Sequence, residues 1–247
     1  MWTRRTFLAG GAVILTLPEL ACGQNPPQPP TEPSGGSEAM PQPGPRLTRA
    51  IPKTGEQIPV VGLGTWQGFD IARGGEDWAG GKRALEVFLG SGGRLIDSSP
   101  MYGQAEAAIG AIVSSLRGAP RPFLATKVWT SGRESGRAQI NQSFRLLRTR
   151  TIDLMQVHNL MDFATHLRTL RELKERGRIR YIGATHYHSG AYDELERVVR
   201  SGAVDFIQLN YSVAEREAEQ RLLPLARDSR VAVIANRPFA GGELFST

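Results

Sequence analysis

Apolar positions recur along the chain with two alternating periods. Short continuous runs of branched and aromatic residues fall at 60–65, 94–97, 123–127, 152–158, 179–185, 206–210 and 231–236. Runs of this length and composition read as strands. Between them, apolar residues repeat at helical spacing. Leu85, Phe88 and Leu89 share one face, as do Ile109, Ile112, Val113 and Leu116. Leu167, Leu170 and Leu173 form a third stripe, and Leu195, Val198 and Val199 a fourth. Gly177, Gly190 and Gly202 mark helix ends or loops. Ahead of this rhythm, two strand-like runs flank Lys53-Thr54-Gly55-Glu56. Gly55 can take a positive φ in the turn, so an N-terminal β-hairpin is expected there.

Continuously apolar strands separated by helices imply parallel strands buried on both faces. The sheet can then be open and doubly wound, or closed as a barrel. A dinucleotide-binding open sheet should carry Gly-x-Gly-x-x-Gly directly after a strand. Gly62-Leu63-Gly64 is followed by glycine only at Gly68, one residue late. The stronger signal is a polar residue at the end of nearly every strand: Asp97, Lys127, His158, Thr185, Gln208 and Asn236. They recur at intervals of about 22 to 31 residues, one βα unit each. In a barrel of such units all these ends open onto one mouth, where active sites are built. The expected fold class is therefore α/β, a (β/α)8 TIM barrel.

Composition sharpens this picture by exclusion. In 247 residues, 40% are hydrophobic and 22% charged, an ordinary globular balance. The single cysteine excludes a disulfide framework and a cysteine-only zinc site. The four histidines form no His-x-His or His-Glu-x-x-His pair among near neighbours except His186 and His188, so no metal is expected. Net charge is +6, but the basic residues are scattered beside acids, as in Lys174-Glu175-Arg176, so nucleic acid is not an expected partner.

The first 45 residues differ from the rest. Thr3-Arg4-Arg5-Thr6-Phe7-Leu8 precedes a short apolar stretch and resembles a twin-arginine export signal, expected over 1–22. Leu20-Ala21-Cys22-Gly23 resembles a lipoprotein site, giving either lipidation of Cys22 or an ordinary cut near Ala21. Half of the 16 prolines fall in 23–45, an extended tether with too little apolar surface to fold. Export to the periplasm or cell envelope is expected, with the export machinery as a partner and membrane contact only through a lipid on Cys22.

The candidate chemistry lies in Asp97, Tyr102, Lys127 and His158. Only Lys127, of four lysines, sits inside an apolar strand. A buried lysine needs a partner, and Asp97 is the natural one. A charged lysine near the Tyr102 phenol should lower its pKa from near 10 and make it a usable acid. His158, neutral, can hydrogen-bond the same substrate oxygen.

These residues stand in stretches that resemble the aldo-keto reductase family. The matching stretches are GLGTW at 62–66, LIDSSPMYG at 95–103, ATKVW at 125–129, DLMQVHNL at 153–160, RIRYIGATHY at 178–187, FIQLNYS at 206–212 and VAVIANRPFAGG at 231–242. The resemblance implies a barrel that passes hydride from NADPH to a small-molecule carbonyl. It makes Tyr102 the general acid, Lys127 and Asp97 its tuning pair and His158 the orienting donor. It places Thr65 and Trp66 near the nicotinamide, Thr185 and Gln208 at its carboxamide, and Asp97 and His186 among the cofactor-binding residues. The segment 236–242, with Asn236, Arg237, Pro238, Phe239 and Gly241, would follow the pyrophosphate. Trp66, Trp129 and His158 would line the substrate pocket. His186 departs from a common Asn, and Asn236 from a common stacking aromatic. The family barrel has eight units and seven strands are counted here, so the last βα unit is expected to be missing. Alternatives carried beside an NADPH-dependent, monomeric reductase are an impaired barrel remnant that binds a partner at the envelope, and a lyase or isomerase using Tyr102 and Lys127 without nicotinamide.

Overall fold

A computed structural model describes residues 46–245 apart from 117 and 119. The expected signal, Cys22 and the tether lie outside the described residues. Among the described residues no helix is long and apolar enough to cross a membrane.

Strands β1 (Thr48–Ala50) and β2 (Gln57–Pro59) form the expected antiparallel hairpin. Gly55 takes φ 77° in its turn and its N–H donates to the Ile51 carbonyl at 2.8 Å. Seven further strands follow: β3 (Leu63–Gly64), β4 (Leu95–Asp97), β5 (Phe123–Val128), β6 (Ile152–His158), β7 (Ile179–His186), β8 (Phe206–Asn210) and β9 (Ala232–Asn236). They pair in parallel, in sequence order from β3 to β9. Each crossover therefore moves one place in the same direction. A doubly wound sheet would reverse direction at a switch point, so this order selects the barrel-type winding. β3 and β9 are the two edges of this sheet among the described residues. The run expected at 60–65 is strand only over two residues. Val60 and Val61 are exposed, because edge residues have a neighbour on one side only.

Helices α1 (Trp78–Gly90), α2 (Ala105–Ser115), α3 (Arg133–Leu146), α4 (Phe163–Glu175), α5 (Tyr192–Arg200) and α6 (Leu222–Asp228) cover the outer face. The four expected apolar stripes lie on α1, α2, α4 and α5. α3 and α6 have weaker patterns. The buried stripe of α3 is Gly136, Ile140, Ser143 and Phe144, so two of its four core positions are small or polar. α6 carries Pro224 as its third residue, where a missing N–H is tolerated. Gly177 and Gly202 follow α4 and α5 with φ of 66° and 68°. Gly190 lies instead inside a short 3-10 turn, Ser189–Ala191.

Two apolar layers hold the sheet. One packs the helices on its outer face. The other fills the inside: Leu95, Phe123, Ala125, Leu154, Tyr181 and Phe206, closed below by Ile51 of the hairpin. Strand period two then sets the next inward position above it. On β4, β5, β6 and β8 those positions are Asp97, Lys127, Gln156 and Gln208, and they form the site.

α2 and α3 pack closely at Gly110, where an added Cβ would lie 2.0 Å from the Leu146 carbonyl oxygen. The obstacle is backbone, which cannot swing aside. Gly110→Ala is expected to destabilise the protein by about 1–3 kcal/mol through overpacking, read from the urea midpoint.

Candidate active site

Asp97 ends β4, Lys127 lies next to last on β5 and His158 ends β6. All three belong to the inward-facing set, two residues above Leu95, Ala125 and Gln156 respectively. Lys127 is only 1% exposed. Its Nζ donates to Asp97 Oδ1 at 2.9 Å, Asp97 Oδ2 at 2.8 Å and the Ser98 carbonyl at 2.7 Å. An ammonium has three donors, and all three are used. Asp97 also accepts from Gln208 Nε2 at 2.9 Å and, more weakly, from Gln156 Nε2 at 3.4 Å. Burial of this pair is thus matched by hydrogen bonds on both partners, the condition under which a buried ion pair is tolerated.

Tyr102 sits on the turn between β4 and α2, half-buried. Its ring lies over Lys127, with Nζ 5.1 Å from the ring centroid. Its edge meets His158 at 6.1 Å between centroids, nearly perpendicular. α2 starts three residues later and is tied down by Glu106. The Glu106 carboxylate accepts from Thr126 Oγ1 of β5 at 2.6 Å and Ser143 Oγ of α3 at 3.1 Å.

One expectation is corrected. The Tyr102 phenol is pushed up from its ordinary value, not down. Burial is the largest cause; the Lys127 charge pulls the other way, and Asp97 partly cancels that charge. The phenol thus keeps its proton and is a donor throughout the neutral range.

His158 is pushed down to about 3 by burial first and by the Lys127 charge second. Its imidazole is neutral, with Nδ1 3.1 Å from Ser99 Oγ. A depressed histidine stabilises the fold above its ordinary value of 6.5, and this is lost as pH falls toward about 3. Urea midpoints are expected to decline across that interval, and His158→Gln should remove one proton from the slope.

The other expected residues fall as follows. Thr65 is fully buried, its Oγ1 donating toward the Asp97 carbonyl and Ser98 Oγ, both at 3.0 Å. Thr185 on β7 pairs with Gln208 on β8. Gln208 Nε2 also donates to Asn236 Oδ1 at 2.8 Å, so Gln208, Asn236 and Asp97 form one polar layer. His186 turns back on its own loop, its Nδ1 accepting from the His188 N–H at 3.1 Å. Trp66 and Trp129 are exposed at the rim, 54% and 37%, and are not core aromatics. Trp66 meets the Arg237 guanidinium at 5.5 Å, and Trp129 stands 6.4 Å from His158. Phe239 is exposed and packs on Phe245. After β9 the chain passes through left-handed Arg237, Ala240, Gly241 and Gly242, around exposed Pro238.

Sequence reasoning missed Gln156 and Ser99. Gln156 lies two residues before His158 on the same strand face, and period two alone could have found it. Ser99 carries no such signal, because it lies in the turn where no period applies.

The sequence model of the Aldo/keto reductase family matches residues 60–247. The chain belongs to this family. Similar family members include the aldo-keto reductase YhdN of Bacillus subtilis, 30% identical over 200 residues, 75% of this chain and 60% of that protein. The NADH-specific methylglyoxal reductase of Escherichia coli is 29% identical over 223 residues, 76% of this chain and 65% of its own. Among solved family structures, the aldo/keto reductase of Klebsiella pneumoniae in complex with NADP and acetate superimposes with TM-score 0.66 at 26% identity. That match covers 76% of this chain and 67% of the other. An aldo/keto reductase of Brucella melitensis gives TM-score 0.63 at 28% identity, over 78% and 73% of the two chains. The chain therefore spans 60–65% of the length of these two relatives compared by sequence.

Proposed function

We propose that this protein reduces a small-molecule aldehyde or ketone to an alcohol at the expense of NADPH, with Tyr102 as the proton donor. The observation that carries the reading is the fully bonded Lys127–Asp97 pair beneath the Tyr102 ring, beside a neutral His158. The NADP complex of the Klebsiella protein supports the cofactor, and the Escherichia coli methylglyoxal reductase, itself NADH-specific, supports only the carbonyl substrate.

The residues at the mouth fit such a cofactor. The Thr185 hydroxyl and the Asn236 amide suit a carboxamide, braced by Thr65 and Gln208, whose donors are already engaged with Asp97, Ser98 and Asn236. Left-handed residues after β9 turn the backbone as anion-holding concavities do, and Arg237 adds a guanidinium. Nothing lies within 4 Å of a Cβ placed on Gly241 or Gly242, which leaves room for phosphate against the backbone. When bound, the nicotinamide supplies hydride to the carbonyl carbon. Tyr102 Oη gives its proton to the carbonyl oxygen, and His158 holds that oxygen through a hydrogen bond. Lys127 places positive charge under the phenolate left behind. Trp66 and Trp129 wall the substrate space.

The test is NADPH fluorescence titration of the purified protein, followed by turnover with methylglyoxal and a panel of aldehydes. Saturable binding and NADPH oxidation are expected. Absence of binding would sink the reading; binding without turnover would favour a ligand-binding barrel.

The sequence Thr3-Arg4-Arg5-Thr6-Phe7-Leu8 supports export by the twin-arginine route to the periplasm or cell envelope. Arg4→Lys with Arg5→Lys should then leave the protein in the cytoplasm. The mass of the mature N-terminus distinguishes lipidation at Cys22 from a cut near Ala21.

A further inference from the structure

Ser99 is fully buried in the turn after β4, two residues past Asp97. Its Oγ lies 3.1 Å from His158 Nδ1, and the Met101 N–H points at the same oxygen from 3.4 Å. A serine hydroxyl has one proton to give and two lone pairs to receive. The Met101 N–H is a donor, so it takes a lone pair, weakly at this distance. His158 Nδ1 is the other partner.

A neutral imidazole carries one proton, on one nitrogen or the other. If Nδ1 accepts from Ser99, every group is matched and Nε2 carries the proton. If Nδ1 instead donates to Ser99, the buried hydroxyl proton has no acceptor among the described residues. An unmatched buried donor is costly enough to suppress that arrangement roughly 10- to 100-fold.

We propose that Ser99 is a positioning residue that fixes His158 as the Nε2–H tautomer, so that its free ring nitrogen is a hydrogen-bond donor. No protein group meets Nε2 among the described residues, and Tyr102 and Trp129 both face the ring. The purpose of the device rests on the proposed carbonyl reduction: a carbonyl oxygen only accepts, so it needs a donor. The opposite tautomer would present a lone pair to that oxygen and repel it. The tautomer itself rests only on the Ser99–His158 geometry.

The experiment is nitrogen-15 NMR of the histidine rings in the full, labelled protein at neutral pH, without cofactor. The His158 signals are assigned by their loss in His158→Gln. The expected result is an unprotonated Nδ1 and a protonated Nε2, changing to a mixture of tautomers in Ser99→Ala. A wild-type proton on Nδ1 overturns the proposal, whatever the variant does. An unchanged Nε2–H signal in folded Ser99→Ala overturns it as well. On the proposed reaction, Ser99→Ala should lower kcat about 10-fold with cofactor KM unchanged, less than outright loss of a transition-state donor. The spectrum requires no turnover, so failure of the reductase reading and failure of the tautomer assignment give different results.

Discussion

Tyr102→Phe is expected to lower kcat for carbonyl reduction by about 10²–10⁴-fold while leaving NADPH affinity unchanged. The substitution removes one oxygen and keeps the ring. The ring still covers Lys127 and still meets His158 edge-on, so the site should keep its shape. The loss then falls on proton donation alone. Stopped-flow turnover and fluorescence titration on the same sample separate the two quantities. An unchanged kcat would remove Tyr102 from the reaction. The pH dependence follows from the sign of the shift. Burial holds the phenol above its ordinary value of 10, so the donor is lost only as pH climbs past that value. Reduction should be flat through neutrality and fall at high pH. Alcohol oxidation, which needs the phenolate, should rise over the same range.

Lys127→Met is expected to cost about 3–5 kcal/mol of stability, because it leaves the Asp97 carboxylate buried without its cation. Gln208 and Gln156 still donate to Asp97, which places the loss toward the lower end. The double variant Asp97→Asn with Lys127→Met should recover much of that stability, since no unpaired charge remains. It should not recover activity, because the positive charge under Tyr102 is gone. Urea unfolding of the two single variants and the double variant measures the coupling. Additive losses would mean that the pair is not energetically linked, against the two short hydrogen bonds that join it.

Much of the fold was legible in the sequence for a local reason. Strand and helix periods are properties of neighbouring residues, so the runs at 152–158 and 206–210 coincide with β6 and β8. The βα spacing of these periods put Asp97, Lys127 and His158 at strand ends around one mouth before any coordinates. Periodicity under-read α3, whose core stripe includes Gly136 and Ser143, because small residues bury well without looking apolar. It over-read the first strand, because sequence cannot tell an edge from a centre.

The sequence by itself determined the βα rhythm, the polar strand ends and the choice of Asp97, Tyr102, Lys127 and His158 as the candidate chemistry. Only the tertiary structure decided the balance of effects within them. Proximity of Lys127 to Tyr102 was expected to dominate the phenol, yet burial outweighs it once Asp97 takes up the lysine charge. A tryptophan's sequence neighbours do not say whether it is core or rim, and packing leaves both Trp66 and Trp129 exposed. Ser99 became visible only when β4 and β6 brought it to His158 across 59 positions of sequence. The physical reason is common to all three. Periodicity is written in adjacent residues, whereas desolvation, charge cancellation and hydroxyl partners depend on groups distant in sequence, which only the folded chain brings together.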